Sequence, residues 1–175
     1  MSRRLAVVAL VVVAMAAGYW FLIRDRTVTP TVFAPRPAAL LETGEDEVVV
    51  SADGALVRWF PVPSDPPLPE LPAVESVKGG QLRGPMLAQV RVLAAAPDAF
   101  RPYLERSYYG DTGVDVVLTS GIELRFGDDT QAARKWKAAA AVLSDPTVTA
   151  LDYVDLHAPK HPAIGGSGHS LPPIP

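Results

Sequence analysis

Two acids, a tyrosine and a histidine lie close together in one short apolar stretch, "ALDYVDLHAP", at residues 150–159. Asp152, Asp155 and His157 are the residue types of an acid–base cluster, so a catalytic group, a metal site and a sheet edge are all open interpretations. Catalysis by a triad also requires an activated nucleophile, and no serine of the chain lies in a G-x-S-x-G elbow. The sequence therefore predicts no catalytic residue and no enzyme.

The histidines have a spacing that binds zinc when both lie on one helical face. His157 and His161 are four residues apart, but Pro159 lies between them and Pro162 follows, which excludes a helix there. Gly79-Gly80 lacks the Lys-Ser/Thr of a phosphate-binding loop. The sequence predicts no metal ion, no cofactor and no small-molecule substrate.

Charge and cysteine content narrow the choice of partners. The chain has 175 residues and a net charge of −3, and the part after residue 26 carries twelve Lys and Arg against eighteen Asp and Glu. Nucleic-acid-binding domains are usually basic, so no nucleic-acid partner is predicted. The chain has no cysteine, which excludes disulfides and thiolate chemistry.

One segment is apolar enough to cross a membrane. The run from Leu5 to Ile23 has nineteen residues without a charge, and at about 1.5 Å per residue it nearly spans a hydrocarbon layer of about 30 Å. We predict a cytoplasmic N-terminus at residues 1–4, a transmembrane anchor at 5–23 that includes Val12 and Trp20, and a single-pass type II protein in the plasma membrane. The lipid bilayer is thus a predicted partner, and the domain behind the anchor is predicted to be extracytoplasmic.

A cleaved signal peptide is the alternative for the same segment. Ser2-Arg3-Arg4 resembles a basic n-region, and Ala14-Met15-Ala16 resembles a cleavage site. Cleavage would release a secreted envelope enzyme or ligand-binding protein that begins near Ala17. The apolar run continues beyond that site through Trp20, and aromatic residues suit a membrane interface, so the sequence favours the anchor.

The remaining chain divides into a linker, a folded domain and a tail. Residues 24–45 contain three prolines and no period, which predicts a linker. Two hairpins are predicted in the domain at residues 46–160, one turning at Asp53-Gly54 and one at Ser120-Gly121, with a proline-rich strap between them. The tail at residues 161–175 is predicted to be disordered.

Two helices are expected to cover the sheet. Apolar residues recur at helical spacing in "PMLAQVRVLAAAP", and Trp136 is the expected anchor of a second helix, "TQAARKWKAAAAVLS". Arg134, Lys135 and Lys137 fall on the flanks of that helix, as expected for a solvated face. The predicted fold class is α+β: a single transmembrane helix followed by an antiparallel β-sheet domain with two helices.

The order of these segments resembles a known family. The turn "SADG", the strap "LPELPAV", the hairpin "VDVVLTSGIELRFG", the helix "ARKWKAAAAVLSDP" and the strand "LDYVDLHAPKHPAIG" follow one another as in the FtsQ/DivIB bacterial cell-division proteins. The resemblance covers about residues 36–164, and family members also have an N-terminal membrane anchor like the one predicted here. It implies an FtsQ-type β-domain and a non-enzymatic scaffold of the division complex at the septum.

The resemblance also implies a partner and a contact site. Members bind FtsB-like and FtsL-like division proteins, and the last strand would offer an open edge to a partner strand by β-augmentation. The implied partner-binding residues are Leu151, Asp152, Tyr153, Val154, Asp155, Leu156 and His157. Relatives commonly have an arginine where His157 stands. Two alternatives are that the strand only completes the core sheet, and that the chain is a divergent paralogue with no division role.

One departure from the family concerns the POTRA domain, which is associated with recruitment to the division site. Members usually place it between the membrane and the β-domain, but there is no room for it between Ile23 and Glu47. The stretch "RPAALLETGEDEVVVSADG" resembles the last POTRA strand joined to the β-domain. Residues 24–45 are therefore interpreted as a linker that includes a POTRA remnant.

Overall fold

The computed structural model describes residues 36–44, 46–75 and 77–173. The predicted anchor, with Leu5, Val12, Trp20 and Ile23, lies outside these residues. Within the described ranges, no helix is both long and apolar enough to cross a membrane.

Eight strands and two α-helices form the described domain. The elements in chain order are β1 (Pro37–Thr43), β2 (Asp46–Ser51), β3 (Leu56–Val57), α1 (Gly84–Ala94), β4 (Leu104–Gly110), β5 (Gly113–Leu118), β6 (Glu123–Gly127), α2 (Ala132–Leu143), β7 (Ala150–Asp155) and β8 (Ala163–Ser170). The strand orders are β1-β2-β3 and β4-β5-β6-β7-β8. A β-sheet domain with two α-helices is what the sequence predicted.

Both predicted hairpins are present. β2 and β3 pair antiparallel around Asp53-Gly54, and β5 and β6 pair antiparallel around Ser120-Gly121. Gly54 and Gly121 have φ values of 86° and 90°. Side chains with a Cβ rarely adopt this conformation, so the two glycines explain why the chain turns at these positions.

The domain begins earlier than predicted. Residues 37–43, assigned to the linker, form β1, which pairs with β2 over its length. Ala38, Ala39 and Leu41 of this strand are buried in the core. The prolines upstream resemble a linker, but the apolar residues that follow them are stabilised by burial under the helices.

The proline-rich strap is part of the sheet. We use "strap" for residues 69–74, which run between β1 and β4. The Leu40 N–H donates to the Pro69 carbonyl and the Leu71 N–H to the Leu40 carbonyl, both at 2.9 Å. On the other side, the Glu70 N–H donates to the Glu105 carbonyl at 2.9 Å. The strap therefore joins the two sheets into one layer, in the order β3-β2-β1-strap-β4-β5-β6-β7-β8.

The prediction of an antiparallel sheet is wrong for the strands β6 and β7, and the bridges of the strap to β1 and β4 are also parallel. β6 and β7 are parallel, with Leu124 opposite Val154. The physical reason is the connection between them: α2 carries the chain back along the sheet, and such a crossover returns the next strand in the same direction.

The core lies between the sheet and the two helices, and Trp136 is at its centre. Trp136 is fully buried, and its ring centroid lies 5.2 Å from that of Phe100 and 4.9 Å from that of Phe126. Its Nε1–H donates to the Val92 carbonyl of α1 at 2.8 Å, which satisfies the only polar group of the indole. The expected anchoring role of Trp136 is confirmed.

Lys135 corrects the prediction of a solvated face on α2. Its side chain is only 4% exposed. The ammonium donates to the Phe126 carbonyl at 2.8 Å, to the Asp128 carbonyl at 3.0 Å and to the Asp128 carboxylate at 2.6 Å. All three donors are thus used, and the lysine closes the loop between β6 and α2.

Candidate docking edge

The predicted partner-binding stretch lies inside the sheet. β7 pairs with β6 on one side and with β8 on the other, so the prediction that β7 is the open edge is wrong. Leu151, Val154 and Leu156 are buried in the core, whereas Asp152 and His157 are exposed. A contact of the seven predicted residues with a partner stays a prediction.

The predicted disordered tail forms the outer strand instead. β8 covers Ala163–Ser170 and is exposed along nearly all of its length. Its glycines, Gly165, Gly166 and Gly168, have the composition of a flexible tail. They are in a strand because side chains of β7 lie over them.

Tyr153 is one of these side chains. A Cβ on Gly165, which is opposite Tyr153 in the register, would come within 2.6 Å of the tyrosine ring. Arg125 also packs on the ring, and its guanidinium carbon lies 4.0 Å from the ring centroid. Arg125, Tyr153 and the bare backbone of Gly165 therefore form a stack that leads from β6 to the outer strand.

Asp152 is the second of these side chains. Leu151 pairs with His169 and Tyr153 with Gly165, so one residue of β7 faces three of β8, which form a bulge at residues 166–168. The Asp152 carboxylate accepts a hydrogen bond from the Gly168 N–H at 2.7 Å. Any Cβ on Gly166, which has a φ of 79°, would overlap with Asp152. The carboxylate thus holds the bulge against β7.

The free backbone groups of β8 follow from the register. The Leu156 N–H donates to the Arg125 carbonyl of β6, so the alternate residue Val154 also points its backbone groups towards β6. Tyr153 and Asp155 then face β8 and pair with Gly165 and Ala163. Ile164, which stands between those two, consequently directs its N–H and carbonyl away from the sheet, and its side chain is 46% exposed.

The other sheet edges are less open than the outer side of β8. At β4, the Glu70 N–H donates to the Glu105 carbonyl, and the Ser107 N–H donates to the Glu70 carbonyl at 2.8 Å. The strap therefore occupies this edge of β4. At the opposite end of the layer, β3 is only two residues long. Among the described residues, β8 is the long strand whose outer side is unpaired.

A polar network lies beside the docking edge, on the sheet surface. The Tyr108 hydroxyl and the Arg125 guanidinium both donate to the Glu123 carboxylate. Burial raises the pKa of Glu123, but these two hydrogen bonds outweigh it and hold the pKa below its usual value. Burial and the Glu123 carboxylate raise the pKa of Tyr108 to about 12. Glu123 is therefore ionised and Tyr108 neutral over the physiological range.

His157 connects the end of β7 to the turn between β4 and β5. Its Nδ1 lies 2.8 Å from the Asp155 carboxylate and its Nε2 lies 3.3 Å from the Thr112 carbonyl. Both neighbours are acceptors, which suits a ring protonated on both nitrogens. The hydrogen bond to Asp155 raises the pKa of His157. The two acceptors thus hold the His157 ring between the end of β7 and the turn after β4.

The described residues contain no group of three or more His, Asp and Glu side chains that could hold a metal ion. The arrangement at β8 offers unpaired main-chain donors and acceptors, with charged side chains beside them. Its chemistry is that of a binding surface for an extended peptide.

Residues 39–157 match the family model of the C-terminal domain of the cell-division protein FtsQ/DivIB. The chain belongs to the FtsQ/DivIB family. No curated protein matches it. The match begins within β1, in agreement with a domain that starts before residue 46, and it ends at His157, six residues before β8. The FtsQ/DivIB assignment therefore confirms the resemblance seen in the sequence, while the docking edge is an observation of this structure alone.

Sequence reasoning missed β8, Gly165 and Ile164 as parts of the site. The signal that was available is the pattern of β7 itself, because Leu151 and Val154 lie at positions of opposite face, and a strand that is apolar on both faces is typical of the interior of a sheet.

Proposed function

We propose that the chain is a non-enzymatic scaffold of the division complex that binds FtsB-like or FtsL-like proteins by adding a partner strand to the outer side of β8. FtsQ/DivIB proteins are division-site scaffolds, which gives the chain a role in cell division. The observation that carries the finer proposal is the unpaired outer side of β8, with Ile164 directing its backbone groups outwards.

The side chains around this edge supply specificity. A strand laid along β8 would pass the Tyr153 ring above Gly165, and Arg125 and Glu123 lie on the adjoining surface. The bulge at residues 166–168 interrupts the edge, so that main-chain pairing is continuous only along the segment around Ile164. A partner must therefore match a short register, which disfavours unspecific sheet extension.

The anchor at residues 5–23 would hold this domain at the membrane. On this proposal the protein is a single-pass type II membrane protein of the division septum, with the β-domain on the extracytoplasmic side. The support is the uncharged apolar run and its terminal aromatics. Intact-mass measurement of the membrane-bound protein tests it, because a retained anchor leaves residues 1–23 on the chain and cleavage near Ala17 removes most of them.

Two variants at one position test the edge. Ile164→Pro removes the outward N–H, and a proline is tolerated on an edge strand when its nitrogen faces solvent. Ile164→Ala is the matched control, since it removes the exposed side chain but keeps the N–H. Binding of the full chain, in detergent, to the extracytoplasmic segments of the FtsB-like and FtsL-like proteins of the same cell is measured for both variants.

We expect Ile164→Pro to weaken binding about tenfold or more, which corresponds to about 1.4 kcal/mol for a lost main-chain hydrogen bond. Ile164→Ala should change binding less. Circular dichroism checks that both variants keep the sheet. Wild-type affinity in a folded Ile164→Pro chain would move the docking edge away from β8, and a wild type that binds neither segment would contradict the proposed partners.

A further inference from the structure

We propose that the turn after β3 is a membrane-surface contact that inserts between the headgroups of the bilayer. We call Trp59, Phe60 and Val62 the apolar tip. This inference rests on the proposed anchor, and it adds a second contact between the domain and lipid.

Two residues of the apolar tip, Trp59 and Val62, are exposed although they are large and hydrophobic, and Phe60 is half-buried. Trp59 is 73% exposed and Val62 is 43% exposed. The Trp59 ring packs edge-on against Phe60, with centroids 6.0 Å apart, rather than against the core. The Phe60 N–H donates to the Val57 carbonyl at 3.3 Å, so a tight turn at the end of β3 presents the two rings together. In water this arrangement leaves much apolar surface hydrated.

The chemistry of the tip suits a bilayer surface. Tryptophan prefers the headgroup region, where its ring is shielded from water while its N–H keeps a polar partner. Arg58 precedes the tip and is exposed, so it can pair with an anionic headgroup. Pro61 and Pro63 restrict the chain after the rings, which reduces the entropy lost on insertion.

The length of the chain between the predicted anchor and the domain permits a membrane contact at the tip. β3 lies two strand positions from β1, about 10 Å at the usual spacing of about 4.8 Å, and its register puts Val57 level with Leu40 rather than with Pro37, where the chain enters the domain. The sequence between the predicted anchor and Arg36 has twelve residues, which reach at most about 40 Å. This length is enough for the apolar tip to reach the bilayer in which the proposed anchor would hold the chain.

The same order keeps the docking edge clear. β3 and β8 are at opposite edges of the layer, and β8 lies six strand positions from β1, about 29 Å away. A domain that touches lipid through β3 would leave the outer side of β8 free for a partner strand. A protein partner at the tip is less well supported, since β3 has two residues and offers little main chain to pair with.

The three tryptophans of the chain allow a direct test. The full chain with Trp20→Phe is reconstituted into vesicles of phosphatidylcholine and phosphatidylglycerol, with ordinary or brominated acyl chains, and only Trp59 and Trp136 then emit. The matched control carries Trp20→Phe and Trp59→Phe, which leaves the fully buried Trp136. Flotation of the vesicles measures membrane association of each variant separately from the fluorescence.

We expect brominated lipid to reduce the emission of the Trp20→Phe chain and to leave that of the double variant unchanged. Equal emission in both lipids from a chain that floats would overturn the lipid contact while the anchor stands. A chain that does not float would overturn both. If Trp59 is insensitive to bromine and becomes shielded from an aqueous quencher only after division-protein segments are added, the tip belongs to a protein partner and the proposal is wrong.

Discussion

Asp115 is the residue whose ionisation the fold opposes most clearly. It is 5% exposed, and its Oδ1 is buried without a hydrogen-bond partner. Burial, followed by the Glu123 carboxylate, raises the pKa of Asp115 to about 6, and Arg125 partly counters this rise. The charged groups that influence it are Glu123, Arg125, Asp155 and His157, and the neutral Tyr108 is opposite it on β4.

We predict that Asp115→Asn removes a pH-dependent loss of stability. Because the folded pKa lies above the ordinary value of 3.8, protonated Asp115 favours the fold, and this contribution is lost as the pH rises from about 4 through about 6. Asparagine stays neutral. At pH 8 the variant should have the higher free energy of unfolding, by about 3 kcal/mol, and at pH 4 the difference should be small. Denaturant unfolding at both values measures this, and a constant difference would show that the carboxyl titrates normally.

Lys135 is predicted to be a major source of local stability. Lys135→Met keeps the apolar stem but leaves the Phe126 and Asp128 carbonyls without their donor, so we expect the free energy of unfolding to fall by about 2–4 kcal/mol. Lys137→Met, on the exposed side of the same helix, is the control and should change little. Equal effects of the two variants would contradict the role of the three hydrogen bonds.

Helical spacing could not reveal this role, because it places Lys135 on a flank of α2 and does not show that the loop from Gly127 to Gln131 folds back over it. By contrast, Trp136 was correctly predicted as the anchor. A large apolar side chain on the buried face of a helix is expected to pack in the core, whereas the stem of a lysine can lie along the surface or along the core.

At the scale of elements, strands with local signals were predictable and strands that depend on distant neighbours were not. The two hairpins follow from Gly54 and Gly121, whose φ values fix the turns within a few residues. β8 has no such signal: three glycines in eight residues favour disorder until Asp152 and Tyr153 pack across them. β1 likewise becomes a strand only because β2 and the helices bury it.

The glycine at position 165 is predicted to be required for β8 to stay on the sheet. Gly165→Ala places a methyl group against the Tyr153 ring, so either the ring leaves Arg125 or the strand moves outwards, at a cost of about 1–3 kcal/mol. Ser167→Ala, in the exposed bulge, is the matched control. Hydrogen exchange of residues 163–170 should accelerate in Gly165→Ala alone, and unchanged protection would mean that Tyr153 has room to turn aside.

At the scale of the whole molecule, the strap decides whether the two sheets behave as one body. The sequence predicted a proline-rich connector, and prolines normally exclude a central strand. The strap is nevertheless paired on both sides, because the N–H donors come from Glu70 and Leu71. Pro69 contributes only its carbonyl. The family match, at residues 39–157, covers strands of both sheets and the strap between them, and it ends before β8.

The amides on both sides of the strap should therefore exchange as slowly as those of the central strands. Exchange of these amides requires that the layer separates at the strap; they belong to Leu40, Glu70, Leu71 and Ser107. Separation is opposed by the buried side chains of Leu41, Leu71 and Leu104. Hydrogen exchange of a peptide covering residues 68–74, compared with one from β5, measures this. Fast exchange in the strap peptide with a protected β5 would show that the two sheets open independently. In that case a lipid contact at β3 could not restrain the orientation of β8, and membrane contact and partner binding would be mechanically separate.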